Sequence, residues 1–290
     1  MKTTSAQVAV QEEYFVPQPS LYPVILSCGM FLLALGFVAM INGAPLGKWL
    51  MLGGTAVILY VLFGWFGSVI GESQRGAYRE WEDRSFRYGM VWFIATEVMF
   101  FAAFFGALFY VRVISVPDLG GMAGAHGTSL WPEFAGTWPS AGPQGPAFTP
   151  MGAWGIPALN TALLLSSGAT LTWGHWGMLR NNRRQLGLGL AATVLLGCLF
   201  LGFQAYEYHH AYGELGLTMG AGAYGATFFM LTGFHGFHVT LGTIMLAVIL
   251  LRSLRGHFDA ERHFAFEAVA WYWHFVDVVW LLLFVFVYWV

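Results

Sequence analysis

The segment Phe264–Val290, FAFEAVAWYWHFVDVVWLLLFVFVYWV, says most about the fold of this chain. A helix needs about 20 residues to cross a bilayer core, and this segment is longer than that. Its middle nevertheless carries an ionisable pair three positions apart, His274 and Asp277. Ionisable side chains at membrane depth are costly unless they are neutral, paired or functional. The segment therefore predicts a transmembrane helix whose polar side chains have internal partners or a role in function.

The composition of the whole chain supports a membrane location. Of its 290 residues, 57% are hydrophobic and 10% are charged, whereas soluble domains average about 25% charged residues. The net charge of −2 gives no electrostatic attraction to nucleic acid. Both cysteines, Cys28 and Cys198, lie in apolar segments, so we expect small core residues and no disulfide framework. These features predict an integral membrane protein.

Seven apolar segments are long enough to span a bilayer, and uninterrupted segments of this length satisfy their backbone in lipid only as helices. They are Leu21–Ile41, Trp49–Ile70, Tyr88–Val111, Ile156–Leu179, Leu186–Tyr206, Tyr224–Leu251 and Phe264–Val290. The sequence thus predicts an all-α membrane protein with seven transmembrane helices. We expect a polar segment at residues 1–20, two helices at 21–70, a charged linker at 71–87 and a bundle at 88–290. The bundle includes a long Gly/Pro-rich loop at 112–155.

Lys and Arg residues set the expected orientation, because they accumulate on the cytoplasmic side of membrane proteins. One side would carry eleven: Lys2, Arg75, Arg79, Arg84, Arg87, Arg180, Arg183, Arg184, Arg252, Arg255 and Arg262. The other side would carry only Lys48 and Arg112. This bias predicts an inside amino terminus, an outside carboxyl terminus and an outside 112–155 loop.

Glu97 lies deep in the third predicted span, among Ile94, Val98, Phe100 and Phe101. Removal from water disfavours a charged carboxyl, so we expect a neutral, protonated form. Acids that face a bundle interior usually have a function, and a proton-handling or ligand-binding role is the favoured interpretation. The alternative is a neutral carboxyl bonded to a nearby backbone carbonyl or polar side chain.

His235 and His238 are three residues apart on span six, so they share one helix face, and His274 and Asp277 repeat the spacing on span seven. Together with Glu97 they resemble the donors of a helix-bundle metal site. Such di-metal sites use Glu-x-x-His motifs on two helices plus further acids, and the sequence has only one such motif, Glu207–His210. Interhelical hydrogen bonding, with Asp277 accepting from a histidine or a Trp indole, is the favoured alternative. We assign no metal ligand and no catalytic residue.

Polar residues near the ends of the spans have simpler explanations. Arg252 lies where basic clusters bind anionic lipid headgroups, although the cytoplasmic bias of positive charge also explains it. Four others lie where we expect access to water, and we assign them no role: His175, Glu207, His209 and His210.

Several consecutive, ungapped motifs resemble those of cytochrome c oxidase subunit III. The resemblance extends from about Trp65 to the carboxyl terminus. The motifs are Arg87-Tyr-Gly-Met, Thr96-Glu-Val-Met-Phe-Phe, Leu159-Asn-Thr, Ser167-Gly, Thr172-Trp, Phe203-Gln-Ala-Tyr-Glu-Tyr, Tyr224-Gly-Ala-Thr-Phe-Phe, Thr232-Gly-Phe-His-Gly-Phe-His-Val and Ala270-Trp-Tyr-Trp-His-Phe-Val-Asp-Val-Val-Trp.

The resemblance implies a non-catalytic subunit of a proton-pumping, aa3-type haem–copper oxidase that reduces oxygen to water. In that family this subunit holds no redox centre. Haem a, haem a3 and copper belong to partner subunits I and II. The family's helices form a V, with a two-helix arm, a five-helix bundle and phospholipids in the cleft. The subunit stabilises subunit I and supports proton uptake, and the long outer loop suggests a bacterial inner membrane.

The resemblance also implies roles for particular residues. Glu97 matches the family's membrane-buried carboxyl, and it is expected to contact lipid together with Trp65, Glu72, His238 and Arg252. His235, His274 and Asp277 keep the interhelical role favoured above. The chain differs from mitochondrial members, where Gly67 and Gly71 are often Arg and Phe66 is Trp.

Three other functions are alternatives to an oxidase subunit. A quinol oxidase third subunit is a close alternative, although it lacks the first two helices. A stand-alone proton or solute transporter would use Glu97, and a bundle metalloenzyme would use His235, His238, His274 and Asp277.

Overall fold

The computed structural model describes residues 15–121 and 131–289, and no strand occurs among them. Seven long helices follow one another along the chain. They are α1 Tyr22–Ile41, α2 Gly47–Gln74, α3 Glu80–Phe109, α4 Ile156–Leu179, α5 Arg183–Gly213, α6 Gly222–Leu254 and α7 Phe264–Leu283. The all-α membrane fold predicted from the sequence is therefore confirmed.

Six of these helices are long and apolar enough to cross a membrane, and α4 is the exception. With 24 residues α4 is long enough, but its small and polar residues make it less apolar than the others. Those residues face inward: Asn160 and Ser167 are fully buried. At Gly189 of α5, an added Cβ would lie 2.6 Å from the Cα of Gly174 on α4. The composition that weakens the hydropathy of α4 thus suits a helix packed closely inside a bundle.

The predicted boundaries differ from the structure in two places. Most of the predicted linker 71–87 is helical, since α2 continues to Gln74 and α3 begins at Glu80. The predicted loop 112–155 begins later, because a π-helical turn, Tyr110–Ser115, and a short helix, Val116–Leu119, extend α3. Residues 1–14 of the predicted polar segment and residues 122–130 of the loop lie outside the described residues.

The chain divides into two compact units, residues 1–86 and 87–290. In the first, α1 packs against α2 at glycines. The V-shaped arrangement of two arms remains a prediction. The prediction that both cysteines are core residues is wrong, because Cys28 and Cys198 are exposed on their helices.

The second unit has an aromatic core in which Trp273 and Trp280 of α7 are almost completely buried. Residues 131–155 fold back onto the connection between α5 and α6. The backbone N–H of Tyr224 donates to Ser140 at 3.0 Å, and that of Thr149 donates to Leu215 at 2.9 Å. α7 continues as a π-helical turn, Phe284–Tyr288, which brings Tyr288 into the same core.

Candidate functional site

Glu97 of α3 and His238 of α6 form a pair within the second unit. Glu97 Oε2 lies 2.9 Å from His238 Nε2, and the two side chains are 21% and 9% exposed. Aromatic rings surround the imidazole, with the Phe101 ring centroid at 5.0 Å and the Tyr272 ring stacked at 6.3 Å. Both residues are candidates from the sequence, but their spacing along the chain gives no sign that they bond to each other.

The second nitrogen of His238 decides where the protons lie. Nδ1 is 2.6 Å from the carbonyl oxygen of Phe234, one turn earlier on α6. A carbonyl only accepts, so Nδ1 must carry a hydrogen. If the imidazole is neutral, Nε2 accepts and Glu97 donates as a protonated acid. If the imidazole is charged, Nε2 donates to a carboxylate. The pair therefore shares one proton along a single hydrogen bond.

His235, one turn before His238, is in a different environment. It is 1% exposed and packs against Phe200 and Trp280. Neither of its ring nitrogens has a hydrogen-bond partner among the described residues. His235 therefore takes no part in the hydrogen bond between Glu97 and His238.

His274 and Asp277 lie close together on α7, with His274 Nδ1 3.4 Å from Asp277 Oδ2. On its other side, His274 Nε2 is 3.5 Å from the hydroxyl of Thr172 on α4. Two tryptophans make the shorter bonds between these helices. The Trp273 indole donates to Ser167 Oγ at 2.8 Å, and the Trp280 indole donates to Thr161 Oγ1 at 2.9 Å.

The residues required by the bundle metalloenzyme alternative do not gather into one site. Within residues 15–121 and 131–289, one group of three potential donors lies within 4.8 Å, and it consists of His175, His263 and Glu267. None of these three residues was predicted from the sequence to have a function.

A cavity of about 660 Å³ lies in the first unit. Trp65 and Glu72, two of the residues expected to contact lipid, line it together with Tyr78 and Glu82. The Tyr78 hydroxyl donates to Glu72 at 2.6 Å. Burial, and then this bond to a carboxylate, raise the pKa of Tyr78 above its usual value. Among the described residues no Lys or Arg lines the cavity.

Arg252 lies near the end of α6 in the second unit and is buried. Its guanidinium carbon is 4.5 Å from the centroid of the Phe258 ring, a cation–π distance. Its Nε has no hydrogen-bond partner among the described residues. Arg252 thus keeps an N–H for a ligand, while Trp65 and Glu72 belong to the other unit.

Glu207 was expected to have access to water, and this expectation is wrong. It is completely buried, and the turn after α7 brings Tyr288 against it. Its Oε1 accepts from Tyr288 at 2.6 Å and from Gln204 at 3.1 Å. Its Oε2 and the nearby amide oxygen of Asn160 have no partners among the described residues. The Gln-x-x-Glu spacing within Phe203-Gln-Ala-Tyr-Glu-Tyr was the available signal for this network.

Comparisons with known proteins agree with the motifs. Residues 12–290 match the model of the family described as Cytochrome c oxidase subunit III. The chain is 41% identical to cytochrome c oxidase subunit 3 of Marchantia polymorpha over 283 residues, which cover 97% of this chain and 98% of that protein. It is 40% identical to the Arabidopsis thaliana protein of that name over 280 residues, 96% of this chain and 97% of the relative. For the Cyprinus carpio protein the identity is 42% over 241 residues, 83% of each chain.

These matches cover the helices that position Glu97, His238, Glu207 and Arg252, and they confirm the family expected from the motifs. The chain belongs to the cytochrome c oxidase subunit III family.

Proposed function

We propose that this chain is the non-catalytic third subunit of a proton-pumping, aa3-type cytochrome c oxidase. It stabilises subunit I, supports proton uptake and holds phospholipids. The observation that carries the proposal is the Glu97–His238 hydrogen bond of 2.9 Å inside a membrane-spanning bundle. Haem a, haem a3 and copper are expected in subunits I and II. The chain itself is expected to contribute no redox centre.

Glu97 and His238 would act by sharing one proton. Moving that proton between Oε2 and Nε2 interconverts a neutral pair and an ion pair without changing the number of protons held. The aromatic rings around the pair exclude water and strengthen the hydrogen bond. We propose that the pair thereby fixes α3 against α6 and keeps an exchangeable proton at membrane depth.

Glu97→Gln tests this role, because glutamine can still donate to Nε2 but has no proton to give up. The variant oxidase should assemble with normal haem content. It should lose the carbonyl stretch of a protonated carboxyl from infrared difference spectra, and its rate of proton uptake should fall several-fold. Glu80→Gln on the same helix is the control, since the Glu80 side chain is 72% exposed. Unchanged proton uptake and an unchanged infrared spectrum in Glu97→Gln would contradict the proposal.

Lipid retention is the second proposed role. In the first unit, the cavity lined by Trp65 and Glu72 offers apolar and polar groups to a lipid. In the second unit, the Nε–H of Arg252, which has no partner among the described residues, offers a donor to a headgroup. Replacing Arg252 with Ala should reduce the phospholipid that remains with the purified oxidase and shorten its turnover lifetime, while the initial rate changes little. Phospholipid mass spectrometry and progress curves measure both effects. An unchanged lipid complement together with an unchanged lifetime would refute this assignment.

The subunit role itself is tested by affinity purification of the tagged chain from its native membranes in mild detergent. Optical spectra and mass spectrometry of the product should reveal a larger haem a-containing subunit and a copper-bearing subunit. Recovery of the chain alone, from membranes in which such an oxidase stays intact, would favour the transporter that uses Glu97. A quinol oxidase is distinguished by the electron donor of the purified complex.

Orientation and location are also part of the proposal. The chain is a multi-pass membrane protein with six candidate spans. An inside amino terminus is supported by eleven Lys and Arg residues on one side of the predicted topology. The bacterial inner membrane, inferred from the long outer loop, stays a prediction.

A further inference from the structure

His175, His263 and Glu267 form a cluster at one end of the second unit. His175 lies near the end of α4, His263 immediately precedes α7, and Glu267 is in the first turn of α7. One potential ligand atom from each residue lies within 4.8 Å of the other two. The cluster brings together segments that are far apart in sequence, and the proton and lipid roles proposed above do not use it.

The imidazole of His263 is held in a defined orientation. Its Nδ1 is 3.1 Å from the carbonyl oxygen of Asp259, so Nδ1 carries the hydrogen of that bond. Its Nε2 points towards the cluster and lies 3.3 Å from Glu267 Oε1. A backbone carbonyl that fixes one histidine nitrogen while the other faces a ligand position is the usual outer-shell arrangement of metal-binding histidines.

Glu267 is oriented from its other side. Its Oε2 lies 2.5 Å from Arg87 Nη1, which leaves Oε1 directed at the two histidines. An arginine beside the carboxylate fixes its rotamer, as outer-shell partners of ligating carboxylates do. The same positive charge opposes a bound cation, so the affinity of the cluster depends on how completely Oε2 remains paired with Arg87.

A simple ion pair does not account for the third member of the cluster. A charged His263 bonded to Glu267 would satisfy those two residues. However, His175 Nε2 is buried and has no hydrogen-bond partner among the described residues. Its ring packs beside His263 with centroids 5.9 Å apart. A buried polar atom without a partner is costly, and a cation shared by the three residues would remove that cost.

The three donors match the preferences of one class of ion. Two imidazole nitrogens and one carboxylate oxygen are a recurrent zinc donor set, which leaves a fourth position for water. Two ligands at about 2.1 Å from a tetrahedral ion lie about 3.4 Å apart. The 3.3 Å between His263 Nε2 and Glu267 Oε1 fits this spacing. Magnesium and calcium prefer oxygen donors and fit less well.

We propose that His175, His263 and Glu267 form a binding site for a divalent transition-metal ion, with zinc favoured by the donor set. The ion would link the end of α4 to the start of α7.

The test uses the intact purified complex, stripped with a chelator and then incubated with zinc. Bound zinc per complex is counted by elemental mass spectrometry for the wild type, His175→Gln, His263→Ala and Glu267→Gln. Each substitution should remove one zinc relative to the wild type, whereas His209→Ala on the exposed face of α5 should remove none. X-ray absorption should detect two imidazoles and one carboxylate around the ion that the variants lose.

A second readout separates loss of binding from loss of fold. Zinc should raise the melting temperature of the wild-type complex, because a ligand that binds only the folded state stabilises it. It should not raise that of His175→Gln, which must first show normal assembly and haem content. Equal zinc stoichiometry in the wild type and all three variants would overturn the proposal and leave His263 and Glu267 as an ion pair only.

Discussion

The first and second units use different means to hold their helices together. In the first unit, glycines let the backbones of α1 and α2 meet: an added Cβ at Gly36 would lie 2.6 Å from the backbone nitrogen of Met51. Among the described residues, no side-chain hydrogen bond joins α1 to α2. In the second unit, α7 donates indole hydrogen bonds to α4 through Trp273 and Trp280.

The difference illustrates two solutions to one physical problem. Lipid tails are as apolar as the helices, so the hydrophobic effect does not drive helices together within a bilayer. Close backbone packing and interhelical hydrogen bonds are the available forces. Closely packed backbones leave no room for a larger side chain, whereas each interhelical hydrogen bond contributes only a small stabilising free energy. Substitutions in the two units should therefore differ sharply in cost.

The largest effect is expected for Gly36→Leu. A Cβ at this position would also lie 2.9 Å from the carbonyl oxygen of Gly47, and neither backbone atom can move without shifting a helix. Overpacking typically costs about 1–3 kcal/mol and occasionally more, and we expect the upper end of that range. The measurement is thermal unfolding of the purified protein in mild detergent, followed by far-UV circular dichroism.

Gly53→Leu is the matched control for this substitution. It places the same side chain on α2, but an added Cβ at Gly53 meets no atom within 4 Å. Its melting temperature should equal or exceed that of the wild type, because leucine favours a helix more than glycine does. Similar losses in both variants would mean that close packing at Gly36 does not hold α1 against α2.

The positions of the helices could be predicted from the sequence, but the residues that contact one another between helices could not. Runs of apolar residues were sufficient to locate all seven helices, because backbone satisfaction in lipid permits no alternative. The close approach at Gly36 depends on how α1 and α2 meet, which hydropathy does not encode. Glu97 and His238 are separated by 141 residues, and the i, i+3 spacing of histidines reports a shared helix face rather than a partner.

The burial of Glu207 also could not be predicted from the sequence. Its place near the end of a span suggested contact with water. In the fold, the π-helical turn Phe284–Tyr288 brings Tyr288 against Glu207, and this turn could not be located from hydropathy alone. A carboxyl at the end of a helix can thus be more deeply buried than one in the middle, as comparison with Glu97 makes clear.

An intermediate effect is expected at Glu207. Glu207→Leu removes the acceptor for Tyr288 and Gln204 and leaves both donors buried, which costs about 2 kcal/mol or more. Glu207→Gln keeps an acceptor oxygen for both donors and replaces only Oε2, which has no partner among the described residues. The glutamine variant should therefore lose less than about 1 kcal/mol. Thermal unfolding of the two variants measures the difference.

The comparison of the two Glu207 variants also tests whether the carboxyl is charged. Glutamine mimics the neutral acid but not the carboxylate. If Glu207→Gln is as unstable as Glu207→Leu, the folded protein requires the negative charge of a carboxylate at this position. A clearly more stable Glu207→Gln would mean that a neutral acceptor suffices.

The smallest effect is expected for a single bond between α4 and α7. The Trp280 indole donates to Thr161 Oγ1 at 2.9 Å, and interhelical hydrogen bonds in a membrane average about 0.6 kcal/mol. A double-mutant cycle with Thr161→Val and Trp280→Phe should give a coupling free energy near this value, although Trp280→Phe alone costs more through lost packing. The cycle cancels that packing loss. A coupling above about 2 kcal/mol would exceed the largest value found for such bonds and would make polar bonding as decisive in the second unit as glycine packing is in the first.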